Sequence, residues 1–496
     1  YKDIFTGEVF RYWEHDKTFS ERHFNYDDCL LVSFNATAEY GSYLNILHGK
    51  PRQMWDCFVE NKRLYFPFRE KGKFGLIDVC EMYGIPCMSK EEKAKNINTI
   101  INNKYYTLEQ QKQILDYCQK DVEETADLFL CQVDDIEQQN KLKTVKDFDQ
   151  ELWQIMFRGL AQGCVAQIQR TGVPVDTTLI NKFNKYWGAV KDKIIKRKNN
   201  LLQVYNDDLT FSNAKFKTFV VNCGLGHRWP LLKSGFYTTN DKVVKKFQEE
   251  HTKIKEFRQM RKLLNTTKLT NYILGADGKV RTSLNMFGTL TGRCSPSTAK
   301  YPLNASKWAR NFIKPSWGEK LYYIDYVAQE PAIMGYLSND KNLINNYQQG
   351  DIYLITAQQI GLIKDEFASK ETHKRERKII KQLFLATGYG QGYKAIADNL
   401  GCSSFQAKDF LKKFKQLYST YDRWIQGVMS AGAVHNRICT PYGWQRSIRG
   451  NLKWKDGKRV SIKNQLRNFP IQGTGSDILR RAMVDLLDNH IKVIGP

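Results

Sequence analysis

The sequence predicts a multidomain α/β protein, and three observations carry that reading. At 496 residues the chain exceeds what one hydrophobic core organises, so two or more domains are expected. Its first third mixes short apolar runs of strand length with a longer stretch of helical periodicity. Beyond residue 180, two long stretches repeat apolar residues at helical spacing while carrying dense lysine faces. Hydrophobic residues make up 42% and aromatics 13%, which fills several interiors and excludes disorder over most of the length.

Taken in order, residues 28–34 (DCLLVSF) form an apolar run stopped by Asn35, the pattern of a buried strand. Leu76–Ile77–Asp78–Val79 predicts another strand. A helix starts near Thr107, where Gln110 completes a capping box, and continues through Leu108, Ile114, Leu115, Cys118, Val122 and Phe129. Residues 182–202 predict a helix bearing Lys182, Lys185, Lys191, Lys193, Lys196, Arg197 and Lys198. Residues 241–264 predict one further long helix, with Val243, Phe247, Ile254, Phe257 and Leu264 on its apolar side. Joined by a Gly/Trp-containing loop, the two would project as a basic clamp. Taken alone they are equally two solvated helix faces. Leu321 to Ile324 predicts a short strand that delivers Asp325 to its end, and Glu330 opens a helix through Ile333, Met334 and Leu337. Internal repeats and low-complexity tracts are absent.

Charge narrows the function. Lys plus Arg is 76 against 52 Asp plus Glu, a net +24; such an excess points to a polyanionic partner, with the scattered surface lysines of a basic proteome as the plain alternative. Eleven cysteines without a Cys-x-x-Cys pair argue against a disulfide framework or zinc knuckle and for a reduced, cytoplasmic setting. No apolar run reaches the roughly 18 residues needed to cross a bilayer. The chain starts at Tyr1 and ends at Pro496, and both ends read as cut from something longer.

The chemistry concentrates after residue 286. In RERKIIKQLFLATGYGQG, Arg377, Lys381, Leu385 and Tyr389 recur every fourth residue and so share one helix face. Arg377 and Lys381 lie about 6 Å apart along the axis, the reach of two phosphates of one triphosphate. Leu385 and Tyr389 then offer an apolar edge and a ring for a base. By itself the stretch reads sooner as an amphipathic helix with a charged first turn. Asp325 at a strand end suits a hard divalent cation, although Asp there is as often a cap or turn former. Tyr117 and Asp121, four apart on the predicted helix, pair a phenol that could orient water with a carboxylate that could hold a metal. That pair too is common on plain surface helices.

Five segments, in this order, resemble motifs of the family A, DNA polymerase I-like, DNA polymerases. They are Thr291–Gly292–Arg293; Asp325–Tyr326–x–x–x–Glu330; Arg377–x3–Lys381–x3–Leu385–x3–Tyr389–Gly390; Thr440–Pro441–Tyr442–Gly443–x–x–Arg446; and Asn468–Phe469–Pro470–Ile471–Gln472–Gly473–Thr474. Five ordered matches over about 190 residues are specific. The resemblance implies a right-hand polymerase of palm, thumb and fingers. Asp325 would bind both catalytic Mg2+ ions, with Mn2+ as an alternative, helped by the Tyr326 carbonyl. Lys381 would meet the α-phosphate of a deoxynucleoside triphosphate and Arg377 its terminal phosphates. Glu330 would crowd the sugar 2′ position, and Tyr389 would stack near the templating base. Thr291, Arg293, Arg446, Asn468 and Gln472 would contact primer-template DNA. Leu385 stands where the family has Phe or Tyr, Val327–Ala328 where Ser-Gln is common, and Asn464 where Arg is usual. The second palm carboxylate, in a His-Asp motif, would fall beyond Pro496. Residues 1–496 are therefore expected to bind primer-template, as a monomer, yet to extend it poorly.

Asn35–Ala36–Thr37–Ala38–Glu39 and Tyr117–x3–Asp121 resemble the second and third motifs of DEDD-type 3′–5′ exonucleases, which have a ribonuclease H-like fold and often precede this polymerase. Glu39 replaces the usual Asp, and Glu39 and Asp121 would be metal ligands. The first motif, Asp-x-Glu, is not found before Asn35; it lies upstream, or the fold has lost its activity and remains as scaffold. The implied organisation is an exonuclease-like region at 1–135, a connection and start of palm at 136–180, thumb at 181–285, palm at 286–345, fingers at 346–435 and palm again at 436–496.

Overall fold

Helices dominate the described residues, and among these every strand belongs to a two-stranded sheet. The structure, a computed structural model, describes all residues except 14–27, 48–49, 66–73, 141–143, 265–271, 298–300, 306–307, 448–451, 456–457 and 462–465. Asn464 therefore lies outside the described residues.

The N-terminal region begins with β1 (Leu30–Ser33), α1 (Thr37–Ser42), β2 (Gln53–Asp56), α2 (Cys57–Tyr65), α3 (Leu76–Tyr83), α4 (Lys90–Asn102) and α5 (Leu108–Asn140). Strands β1 and β2 pair in parallel, which requires the crossover that α1 supplies. Asp56, fully buried at the end of β2, accepts backbone N–H groups from Asn35, Ala36, Phe58 and Val59, so one carboxylate ties the end of β1 to the start of α2. The capping box at Thr107 forms as expected, with reciprocal bonds to Gln110 of 3.0 and 3.2 Å. Leu76–Val79 departs from expectation: it opens α3 instead of forming a strand. Three apolar residues in a run of four do not separate strand from helix. Here Asp78 accepts the Gly75 N–H at 3.2 Å and satisfies a helix start, while Leu76, Ile77, Val79 and Cys80 turn inward.

Helix α6 (Val145–Thr171), capped by Thr144 and Asp147, is buried along its second half and packs against β2 and α1. Strand β3 (Val173–Pro174) leads into the basic α7 (Thr177–Leu202), followed by α8 (Asn213–Asn222), α9 (Asp241–Phe247) and α10 (Thr252–Leu264). The single helix expected over 241–264 is thus two helices. Their apolar sides, Val244, Phe247, Ile254, Phe257 and Leu264, join Phe216, Phe219 and Trp229 in a core confined to residues 195–264.

Short strands β4 (Lys279–Val280), β5 (Leu284–Asn285) and β6 (Ser295–Pro296) precede the next helices. These are α11 (Gln329–Ser338), α12 (Lys341–Gln349), α13 (Ile352–Gln359), α14 (Lys374–Gly388), α15 (Tyr393–Leu400), α16 (Ser404–Leu417) and α17 (Ser419–His435). They enclose a second local core that includes Met334, Leu343, Ile380, Phe384, Phe414 and Ile425. Hairpins β7 (Arg437–Cys439)–β8 (Gln445–Ser447) and β9 (Leu452–Lys455)–β10 (Lys458–Ser461) lead to α18 (Phe469–Asp488). A third core is assembled from distant segments: Val59, Phe157, Val173, Phe287, Trp444, Phe469 and Met483 share it.

The strand expected at Leu321–Ile324 does not form. Leu321, Tyr322, Tyr323 and Ile324 are 40%, 80%, 83% and 79% exposed, and no described strand lies beside them. A β-strand exists through its partner's hydrogen bonds, so apolar sequence without that partner stays irregular. All eleven cysteines are free. No helix among the described residues is long and apolar enough to cross a membrane.

Candidate active site

Helix α14 sorts its residues as a period of 3.6 requires. Ile380, Leu383, Phe384 and Thr387 are buried, while Lys381, Leu385 and Tyr389 stay exposed and Arg377 half-buried. Arg377 donates from Nε to Asp351 at 2.7 Å. Asp351 caps α13 by accepting the N–H groups of Tyr353 and Leu354. The Tyr353 ring lies beneath both cations, its centroid 5.0 Å from the Arg377 guanidinium and 6.0 Å from the Lys381 ammonium. Burial raises the Tyr353 phenol above its ordinary range, so it remains neutral between them.

Helix α11 brings the acidic side. Glu330, in its first turn, stands 3.6 Å from Arg293. Burial raises the Glu330 carboxyl above its usual value, and the Arg293 and Lys381 charges pull it back. Arg293, Glu330, Lys381, Tyr353 and Arg377 thus form one cluster. At the far end of α14, Gln472 of α18 donates to the Tyr389 hydroxyl at 3.1 Å and accepts from Thr291 at 3.0 Å. Arg467 holds the Thr387 carbonyl at 3.0 Å and Asp422 at 3.1 Å, and so fixes the end of α14 against α17.

The remaining expected residues are placed differently. Asp325 and Tyr326 are exposed on the irregular segment before α11, which Tyr347 anchors through the Val327 carbonyl at 2.9 Å. Arg446 and Asn468 are 4% and 2% exposed, so neither offers DNA more than an edge in this state. Burial lowers the Arg446 guanidinium, and the side chain borders a cavity of about 1790 Å³ that extends to Glu39, Tyr117 and Asp121.

At that nuclease-like end, the Lys93 ammonium sits 2.8 Å from the Asp121 carboxylate and 5.8 Å from the centroid of the Tyr117 ring. Burial raises the Tyr117 phenol, and its bond to Asp121 raises it further. Glu39 keeps a buried Oε2 without a partner, and its carboxyl is pushed up to about 8, first by burial and then by the neighbouring Asp56 and Asp121. A divalent cation there would have to displace Lys93 from Asp121 and take the proton from Glu39, and these two carboxyls alone give it fewer than three side-chain ligands. Lys93 carried no signal in the sequence, because it lies 28 residues from Asp121 with no motif around it. The palm side differs: Mg2+ commonly binds through one or two carboxylates, waters and substrate phosphates, a set that Asp325 and the Tyr326 carbonyl can join. No cluster of three or more metal-ligating side chains exists among the described residues.

The family model described as DNA polymerase family A matches residues 194–492. The chain belongs to DNA polymerase family A. Among relatives, "DNA polymerase I" of Chloroflexus aurantiacus is 26% identical over 340 residues, covering 65% of this chain and 35% of that protein. The thermostable DNA polymerase I of Thermus aquaticus is 26% identical over 266 residues, 51% of this chain and 31% of that protein. The alignments thus span about a third of the curated relatives' length. Among solved structures, the POL domain of Pol1 from M. smegmatis, in complex with DNA primer-template and dNTP, superposes with a TM-score of 0.61 at 16% identity. It covers 89% of this chain and 73% of that one. The fold is therefore that of a family A polymerase domain, with its palm, thumb and fingers.

Proposed function

We propose that this chain is the polymerase part of a DNA-dependent DNA polymerase, acting in the cytoplasm as a monomer on primer-template DNA and deoxynucleoside triphosphates. The observation that carries it is the open face of α14, where Arg377 and Lys381 stand beside Glu330 and Arg293 while Tyr389 is joined to α18 through Gln472. The named relatives and the nucleic-acid complex of the structural neighbour support the same reading.

The reaction is attack of a primer 3′-hydroxyl on the α-phosphorus, with pyrophosphate leaving. Lys381 neutralises the α-phosphate, and Arg377 exchanges Asp351 for the terminal phosphates. Tyr353 supports both cations from below. Glu330 narrows the space at the sugar 2′ carbon and disfavours a hydroxyl there. Leu385 and Tyr389 bound the base, and Thr291, Arg293 and Gln472 hold the primer-template, with Arg446 and Asn468 behind them. Asp325 and the Tyr326 carbonyl would hold Mg2+, with Mn2+ as the alternative; bound there, it would activate the hydroxyl and stabilise charge on the phosphates. In the N-terminal region, 3′–5′ hydrolysis would require carboxylates beyond Glu39 and Asp121.

The test is fluorescence anisotropy with a labelled primer-template, with and without the next templated dNTP, followed by single-nucleotide extension in Mg2+. Tightening by the templated dNTP alone supports the polymerase reading, and indifference to template identity sinks it. The second reading, a nucleic-acid-binding protein that keeps the fold without chemistry, is favoured by the exposed Asp325, which joins no cluster of metal-ligating side chains among the described residues. It predicts duplex binding without dNTP selectivity.

A further inference from the structure

Helix α6 passes behind the Thr440–Gly443 turn, and two of its side chains read the backbone of that turn. Arg158 donates from Nη1 to the Tyr442 carbonyl at 2.9 Å, and Gln154 donates to the Pro441 carbonyl at 3.2 Å. Gly443 has φ +78°, and a Cβ there would lie 2.0 Å from Gln154 Oε1 and 2.9 Å from Arg158 Nη1. The turn is therefore pressed against α6 with no room for a side chain.

Arg158 is itself immobilised. It is 0% exposed, and Glu60 of α2 takes its Nε at 2.6 Å and its Nη2 at 2.9 Å. Glu60 also accepts from Arg63 at 2.7 Å, so two cations hold its carboxyl below the usual range despite complete burial. Beyond the turn, the Trp444 indole donates to the Leu290 carbonyl at 3.1 Å, immediately before Thr291 and Arg293.

We propose that Arg158, clamped by Glu60, is a positioning residue for primer-template binding. It fixes the Thr440–Trp444 turn and, through Trp444, the loop that presents Arg293. The inference rests on the reading that Arg293 contacts DNA, and it gives the N-terminal region a role at the polymerase site that needs no nuclease chemistry. The role demands a planar fork: one guanidinium spans both Glu60 oxygens and the Tyr442 carbonyl, which a lysine ammonium cannot do.

The experiment is a double-mutant cycle on the full chain with Arg158→Lys, Arg293→Ala and the pair, read as primer-template affinity across a salt series. Arg293→Ala should lower the slope of log affinity against log salt by about one. Arg158→Lys should weaken binding roughly tenfold with the same change of slope, and the pair should bind no more weakly than Arg293→Ala alone. A merely structural role leaves the slope unchanged and makes the two losses multiply; that result, or wild-type affinity in Arg158→Lys, overturns the proposal. Where thermal melting shows Arg158→Lys unfolded, Gln154→Ala replaces it, with an expected loss of about threefold that vanishes in the Arg293→Ala background. Persistence of that loss overturns the proposal. Arg293→Ala binding like wild type overturns it at its base, whereas failure of the wild-type chain to bind duplex is failure of the polymerase reading.

Discussion

Gln472 bridges Thr291 and Tyr389, accepting from one hydroxyl at 3.0 Å and donating to the other at 3.1 Å. One amide therefore joins the loop at Thr291, the start of α18 and the end of α14. Tyr389→Phe removes one arm and keeps the ring, whereas Gln472→Ala removes both. A single net hydrogen bond is worth about 1 kcal/mol. Tyr389→Phe is expected to weaken templated-dNTP binding by about fivefold, and Gln472→Ala by more. Titration of dNTP into the primer-template complex checks the order, and equal losses would show that the Thr291 arm is idle.

The Arg377–Asp351 ion pair has side chains about 30% exposed on both sides, so it is worth no more than about 1 kcal/mol. A triphosphate must displace Asp351 to reach Arg377. Asp351→Asn keeps an N-cap for α13 while removing the competing charge. Triphosphate affinity should rise about two- to fivefold at low salt, with the gain fading as salt screens it. Lys381→Ala should weaken binding of the templated triphosphate far more than primer-template affinity. Isothermal titration of the triphosphate and primer-template anisotropy separate these effects; weaker triphosphate binding by Asp351→Asn would mean that Asp351 supports Arg377 instead of occupying it.

The α14 face was legible in the sequence because a period of four is local information, and so was the capping box at Thr107. What could not be read were the distant partners. Glu60 and Arg158 lie 98 residues apart, Asp351 and Arg377 lie 26 apart, and no sequence pattern joins them. Leu76–Val79 and Leu321–Ile324 looked alike as short, mostly apolar runs. A helix cap at Gly75 and Asp78 decided the first, and lack of a described partner strand decided the second. The two expected DNA contacts found buried, Arg446 and Asn468, sit in strand β8 and at the start of α18, whose enclosure depends on packing.

Glu39 and Asp56 make stability depend on pH. Burial raises Glu39 from 4.5 to about 8; it also raises Asp56 from 3.8 to about 6, against four backbone N–H groups that lower it. The folded state therefore holds protons that the unfolded chain releases, and stability falls as pH rises through these windows. The stabilisation is fully present below the unfolded values and gone above about pH 8. Each proton contributes a slope of at most about 1.4 kcal/mol per pH unit. Glu39→Gln should flatten the limb between pH 6 and 8, leaving the limb below 6 to Asp56. Urea unfolding at intervals from about pH 4 to about pH 8 reads both limbs, and a Glu39→Gln profile parallel to wild type would refute the assignment.

Two glycines should respond oppositely to alanine. Gly188 lies within α7 with nothing within 4 Å of an added Cβ, so Gly188→Ala gains helix propensity, about 0.5–1 kcal/mol. Gly443 has φ +78° and its Cβ would overlap Gln154 Oε1 at 2.0 Å, so Gly443→Ala incurs left-handed strain of about 1–2 kcal/mol plus the clash. Removing the obstacle separates the two costs. In Gln154→Ala the contact is gone and only backbone strain remains, so Gly443→Ala should cost less there than in the wild-type background. Denaturant midpoints of the four chains measure the difference, and an identical cost in both backgrounds would mean that Gln154 swings aside freely and does not hold the turn.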